Sequence, residues 1–265
     1  MTNTNTSAPI LVTGGTGTLG RLVVPLLTRA GRTVRVLSRH GRDPEDGVDS
    51  VKCDLLTGEG IDAALAGVET VLHLAGANKG DDVATANLVA AARRADVRHV
   101  VYISVTGADK VPVGWVRSKL AAERAIAESG VPYTTLRAAQ FHDLVLTTVE
   151  KMAKLPVVPS PGGLRFQSVD AAEVAERLVE LALGEPAGPV PDIAGPAVHG
   201  IDEIIRGYLR AAGKRRPLLP VRIPGKAGRS YRAGENLTLV GATVGTRTWE
   251  DFLARRVGRG TPVKP

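Results

Sequence analysis

A chain of 265 residues, 43% hydrophobic and 23% charged, has the composition of a folded protein with apolar mass for one large α/β domain. No apolar run approaches the about 18 residues that span a bilayer, and a single cysteine, Cys53, excludes an internal disulfide and a cysteine-built metal site. The net charge of +7 would suit nucleic acid, but only 3% of residues are aromatic and no basic recognition helix stands out, so composition argues against that partner.

The opening "MTNTNTSAP" is polar and uncharged, with no basic segment ahead of an apolar stretch. It reads as a disordered tail and not as a secretory signal, so cytoplasmic residence is expected. Next come an all-apolar strand, "ILVT" (10–13), and a helix, "LGRLVVPLLTRAG" (19–31), that stops at Gly31. Strands are predicted at 33–38, 50–53 and 69–76, the second carrying Cys53 as a buried structural thiol. His73, inside the third of these, reads as a core histidine. A helix over 82–95, a strand over 98–105, a helix to about Gly130 and a strand over 132–139 complete the first half. Such alternation, with near-continuous apolar strands, predicts a doubly wound parallel sheet covered on both faces.

Beyond residue 140 the pattern loosens. Helices are predicted at 170–184, 201–213 and 246–258, between Pro/Gly-rich links. Short strands at 189–194 and 218–224 are expected either to extend the main sheet or to pair locally. The expected organisation is a Rossmann core over 8–140 and a smaller, mainly helical lobe over 141–265, packed on it as one structural unit.

The most informative stretch is "TGGTGTLG" (13–20), where a strand ends and a helix begins. Gly14 permits the sharp turn, Gly17 lets backbone approach a pyrophosphate, and Gly20 lets helix and strand pack closely. Thr16, Thr18 and Leu19 complete the loop, whose amides at the helix start attract phosphates. At the end of the second strand a carboxylate would bind the ribose of NAD; here stand Ser38 and Arg39. A serine removes the repulsion of a 2′-phosphate and a guanidinium can hold it, so NADP(H) is preferred, with NAD(H) as the alternative. Asp54 and Leu55 after the third strand would hold the adenine. Small Ala75, Gly76 and Ala77 after the fourth would let backbone lie close to the coenzyme ribose.

With "TGGTGTLG", "CDL", "HLAGA", "VVYISVTGAD" and "VRSKLAAERAIAESGVPYTTLRAAQFHD" together, the chain resembles an atypical short-chain dehydrogenase/reductase of the NmrA-like NAD(P)-binding group. That group includes small quinone reductases, isoflavone-reductase-like enzymes and redox-sensing regulators. In standard members a Tyr-x-x-x-Lys pair supplies a phenolic proton donor and the lysine that supports it. Here Lys119 is present, but Trp115 stands four residues earlier, and an indole cannot release a proton at accessible pH.

The resemblance therefore implies one of two functions. The first is an NADPH-dependent reduction of a small apolar acceptor (quinone, enone or aromatic carbonyl), with Lys119 as general acid/base or no strong acid needed. The second is a non-catalytic, redox-sensing regulator in which Lys119 only anchors the ribose. Ser104 and Thr106 compete to polarise the substrate, with Ser104 preferred for its place at the strand end. His142 is either a proton donor or substrate contact, or a hydrogen-bonded loop residue. Trp115, Gln140, Phe141 and Phe166 are expected to line the substrate pocket, with Gln167 beside Phe166. No metal site is expected, and the expected assembly is a monomer or homodimer.

Overall fold

A computed structural model describes residues 8–38, 47–76 and 80–257. The expectations for the N-terminal tail, Arg39 and Ala77 lie outside these residues. In chain order the first elements are β1 (Ile10–Thr13), α1 (Gly20–Arg29), β2 (Val34–Ser38), β3 (Val48–Lys52), α2 (Ile61–Leu65) and β4 (Thr70–His73). There follow α3 (Asp81–Arg94), β5 (His99–Val105), α4 (Gly114–Glu128), β6 (Tyr133–Ala138) and α5 (His142–Met152). Short strands β7 (Val158–Pro161) and β8 (Arg165–Phe166) lead to α6 (Ala171–Leu183), then β9 (Gly188–Pro189), β10 (Ile193–Ala194) and β11 (His199–Gly200). The last elements are α7 (Ile201–Ala211), β12 (Leu218–Val221), α8 (Gly225–Ala233), β13 (Thr243–Val244) and α9 (Trp249–Arg256).

Two compact units interleave along the chain. The first holds the described residues up to Ser104, then Gly114–Leu136 and Val174–Val190; the second holds Val105–Val113, Arg137–Glu173 and the described residues from Pro191 onward. In the first unit the strands lie in the order β3-β2-β1-β4-β5-β6, with β9 on the far side of β6. The pairs β2–β3, β1–β2, β1–β4 and β4–β5 are all parallel. This order is that of the dinucleotide-binding Rossmann sheet, which reverses direction of growth between β1 and β4 and opens a crevice there.

The apolar strands follow from burial on both faces. Leu11, Leu37, Val71 and Val100 join Ile61, Leu65, Leu88 and Ala92 of α2 and α3 in one core cluster. Alternate residues Ile10, Val12, Val34 and Val36 point the other way and are equally buried. On α1, Val23 and Leu27 are fully buried one turn apart. Cys53 falls just after β3, buried and free, where burial and then Asp54 push its thiol up to about 11.

In the second unit α5, α7 and α9 share a core that includes Val149, Ile204, Tyr208, Trp249 and Phe252. Thr248 caps α9, accepting from the Asp251 N–H at 3.1 Å while Asp251 accepts from the Thr248 N–H at 3.2 Å. Buried Asp170 anchors the same helix through Arg255 at 2.5 Å and takes Arg247 at 3.4 Å. The two short strands expected here divide between their alternatives: β10 pairs with Ala138 of β6, whereas β12 pairs locally with β7. Helices α5 and α8 were not predicted. The apolar positions of α5 follow directly on a strand without a punctuating residue, and α8 carries three cations and two glycines in nine residues.

Candidate active site

The chain leaves β1 at Thr13 and turns through an exposed tip, Thr16–Thr18, before α1 begins at Gly20. Gly14 has φ +67°, and a β-carbon on it would lie 2.8 Å from the Ala75 backbone nitrogen, so this turn rests directly on the end of β4. A β-carbon on Gly20 would overlap the backbone of Gly14 and Gly15, which is how α1 can start against the loop. The Gly17 N–H donates to the Gly14 carbonyl at 2.9 Å, closing the turn. No side chain caps α1, and its first turn carries no acid. The Arg21 and Leu22 N–H groups already donate to the Gly17 and Leu19 carbonyls at 3.1 and 2.9 Å, so what the positive end of the helix dipole offers an anion is the loop backbone just ahead of them. A loop whose glycines leave no room for side chains and whose tip is exposed backbone fits a pyrophosphate.

Ala75 and Gly76 end β4 beside this loop. Ser38 is half-buried at the end of β2, and its carbonyl accepts from the Cys53 N–H at 3.2 Å. Asp54 uses Oδ1 to accept from the Leu56 N–H at 2.8 Å, while the Leu55 carbonyl accepts from Asn87 at 2.9 Å.

Lys119 sits in α4 with its side chain 15% exposed. Its Nζ lies 3.0 Å from Oδ2 of Asp81, a carboxylate at the start of α3 that is itself 3% exposed, and 3.4 Å from the Ile103 carbonyl. A β-carbon on Gly76 would meet that Nζ at 3.1 Å, so the ammonium is lodged against bare backbone at the end of β4. Trp115 is half-buried one turn earlier on the same face of α4.

A buried chain of hydrogen bonds holds Asp81. The Thr13 hydroxyl accepts the N–H groups of Leu74 and Ala75 at 3.1 and 3.0 Å, which directs its own proton to His73 Nδ1 at 2.7 Å. His73 Nε2 then donates to Thr85 at 3.0 Å, and Thr85 donates to the Asp81 carbonyl at 2.7 Å. This assignment makes His73 the neutral Nε2–H tautomer. Burial, and next the cation of Lys119, hold its pKa down at about 3.

That value has a consequence for stability. An unfolded histidine gains its proton near pH 6.5, while folded His73 waits until about 3. The stabilisation is complete above pH 6.5 and is lost as pH falls through that window, because the unfolded chain binds the proton first. His99 and His142, both lowered chiefly by burial, act in the same direction. Urea unfolding at pH 7 and pH 5 should show His73 contributing about 2 kcal/mol of the loss. His73→Gln should be less sensitive to pH by that amount; an unchanged slope would refute the assignment.

A tyrosine does lie beside Lys119, but not where the sequence pattern would seek one. Tyr102 of β5 is wholly buried, donates to Asp81 Oδ2 at 3.4 Å, and presents its ring 4.9 Å from the Lys119 ammonium. Burial, then the charges of Asp81 and Glu123, raise its phenol far above the usual range. It cannot serve as the acid that Trp115 fails to be. Ser104, near the end of β5, is 5% exposed, and its Oγ has no hydrogen-bond partner among the described residues.

The other predicted site residues belong to the second unit. Thr106 donates its hydroxyl to Asp192 at 2.9 Å. His142 is the first residue of α5 and 1% exposed, with Nδ1 2.9 Å from Ser168 Oγ and Nε2 3.4 Å from the Arg247 carbonyl. Its ring packs against Trp249 and Phe252. The ring is thus hydrogen-bonded and buried in the core of this unit. Gln167 likewise spends its amide on the Gly195 carbonyl and the Thr238 N–H. Phe166 packs on Tyr231, Phe141 precedes α5 half-buried, and Gln140 Oε1 has no partner among the described residues. Asp81, Thr13, Thr85 and Tyr102 carry no signal of this role in the sequence. Their relation to Lys119 exists only once α3, α4 and three strands are assembled.

Among the described residues no helix is long and apolar enough to cross a membrane, and no three acidic, histidine or cysteine side chains group as metal ligands.

A family model described as NAD(P)H-binding matches residues 14–184. Quinone oxidoreductase 2 of Escherichia coli is 25% identical over 217 residues, covering 78% of this chain and 75% of that protein. The chloroplastic protein High Chlorophyll Fluorescence Phenotype 244 of Arabidopsis thaliana is 29% identical over 221 residues, and the match spans 77% of this chain but only 56% of that relative. The structure of an NADPH-dependent quinone oxidoreductase from Escherichia coli in complex with NADPH superposes with a TM-score of 0.78 at 20% identity, covering 93% of this chain and 99% of the other. That likeness is one of fold.

Proposed function

Since the chain belongs to the NAD(P)H-binding family, we propose that it is a reductase that passes a hydride from NADPH to a small apolar acceptor, a quinone above all. The observation that carries this reading is the lodging of the Lys119 ammonium between buried Asp81 and the bare backbone of Gly76. The glycine loop would hold the pyrophosphate through its amides, Asp54 and Leu55 the adenine end, and Ser38 with Arg39 a 2′-phosphate. Lys119 would donate to ribose hydroxyls as a positioned charge, with Asp81 fixing its direction. When bound, the coenzyme supplies the hydride, and the chain supplies orientation and exclusion of water.

The chemistry of the acceptor follows from what the chain's own residues cannot do. Trp115 holds no releasable proton, Tyr102 is locked in its buried pair, and His142 is enclosed. The unpartnered hydroxyl of Ser104 can donate one hydrogen bond to a carbonyl oxygen. That suffices for a quinone, whose reduced oxyanion is stabilised by its own ring. An isolated ketone would yield an alkoxide and needs a proton in the transition state, a contribution of about 10²–10⁴ in rate.

Stopped-flow mixing of the NADPH-loaded protein with quinones, an azo dye and simple ketones tests this. Quinones should oxidise the coenzyme at least about 100-fold faster than simple ketones. If coenzyme binds but no acceptor oxidises it, the enzyme reading fails and the non-catalytic regulator replaces it.

A further inference from the structure

The second unit carries a cleft of about 440 Å³ where α7 ends and the chain turns into β12. Its walls present Arg206, Arg210, Lys214, Arg215 and Arg216, and no acidic residue lines it. Elsewhere in the same unit some arginines find carboxylates: Arg137 pairs with Asp109 at 2.7 Å, Arg255 with Asp170 at 2.5 Å and Arg256 with Asp143 at 3.3 Å. None of the five cleft cations forms such a pair among the described residues. Both acids in the first turn of α7 leave them alone; Glu203 turns back to accept from the Gly200 N–H at 2.8 Å.

Helix geometry accounts for part of this cluster only. Cations at a helix C-terminus complement the dipole, which covers Arg210 and Lys214. It does not cover Arg206 in the middle of α7 or the pair Arg215–Arg216 beyond it. Arg206 and Arg210 stand four residues apart on one face, an arrangement that repels and weakens a helix unless an anion lies between them. Lys214 is steered by Tyr208, whose hydroxyl oxygen accepts from Nζ at 3.3 Å. The floor is apolar, with buried Leu209 and half-buried Leu218.

We infer that this cleft is a second anion site, separate from the glycine loop, that takes a phosphate-bearing ligand of at least two negative charges. Guanidinium forks match phosphoryl oxygens through paired hydrogen bonds, and four arginines with one lysine exceed what a single carboxylate would neutralise. The cleft's size admits a phosphorylated head with a small apolar portion against Leu209 and Leu218. The ligand's phosphate comes either from a free small molecule or from a lipid headgroup.

The test compares the full chain with its Arg210→Gln/Arg215→Gln variant, whose altered side chains are exposed. Both are titrated calorimetrically with inorganic pyrophosphate and with a duplex oligonucleotide at fixed ionic strength, and both are sedimented with phosphatidylcholine vesicles with and without phosphatidylglycerol. Pyrophosphate bound at least tenfold more weakly by the variant, with NADP⁺ affinity unchanged, supports the site and a free ligand. Vesicle binding that needs phosphatidylglycerol and is lost in the variant, without pyrophosphate binding, supports the site and a headgroup. Equal behaviour of the two proteins in both arms overturns the inference. So does a variant-sensitive binding seen only with a duplex oligonucleotide, which would make this a nucleic-acid surface.

Discussion

Gly14→Ala is expected to lose about 2–5 kcal/mol of folding stability and most of the coenzyme affinity. Two separate penalties add. An L-residue in the left-handed region costs roughly 1–2 kcal/mol, and Gly14 has φ +67°. The new methyl would also stand 2.8 Å from the Ala75 nitrogen and 2.9 Å from its Cα, backbone that cannot step aside. Overpacking of this kind costs roughly 1–3 kcal/mol. Gly31→Ala separates the two: it has φ +74° but nothing within 4 Å of its β-carbon, so only the first penalty applies. Chemical denaturation should therefore rank Gly14→Ala well below Gly31→Ala, and calorimetry with NADP⁺ should find the coenzyme affinity reduced at least tenfold in the first alone. Equal losses in the two variants would mean that the loop does not rest on β4.

Lys119→Met is expected to destabilise the protein by about 3–5 kcal/mol, because it leaves the buried carboxylate of Asp81 without its counter-ion. A simple test of catalysis by this variant would thus confuse misfolding with lost chemistry. The double variant Lys119→Met/Asp81→Asn removes both charges and should recover more than half of that stability. Against this repaired background the role of the ammonium becomes readable. A charged donor to the ribose is worth roughly 1.5–3 kcal/mol, so NADP⁺ should bind about 10- to 100-fold more weakly. If the double variant binds coenzyme like the original protein while turnover vanishes, Lys119 acts on the substrate and not on the ribose. If both are unchanged, the lysine is structural and the proposed function loses its support.

The alternation of apolar strands and helices made the sheet legible, because parallel strands buried on both faces carry few polar positions to disguise them. β5, seven residues all buried, is the clearest instance. The glycine loop was equally open to reading, since its glycines fall within eight consecutive residues, although the backbone that Gly14 rests on, Ala75, lies far along the chain. Lys119 could be found through the resemblance of its helix to the Tyr-x-x-x-Lys pattern, but its partner could not. Asp81 looks like an ordinary first-turn acid of α3, of the kind that complements a helix dipole, and only the packing of α3 against α4 reveals that it is buried. For His142 the position after a strand left both a ligand contact and a hydrogen-bonded role open, and only α5, which turns it inward against Trp249 and Phe252 more than 100 positions later, shows its surroundings. Contacts across such distances leave no local signature.

The interleaving of the two units bears on how the polypeptide reaches its native state. Val174–Val190 belong to the first unit, and β9 within them supplies the strand flanking β6. Emergence of the first 140 residues from the ribosome therefore cannot complete the coenzyme-binding half. The nascent chain must hold an unfinished sheet until most of the protein has been synthesised, with an unpaired strand open to wrong partners in the meantime. Contacts of such long sequence separation form slowly. A polypeptide truncated after β6 would keep that bare edge permanently.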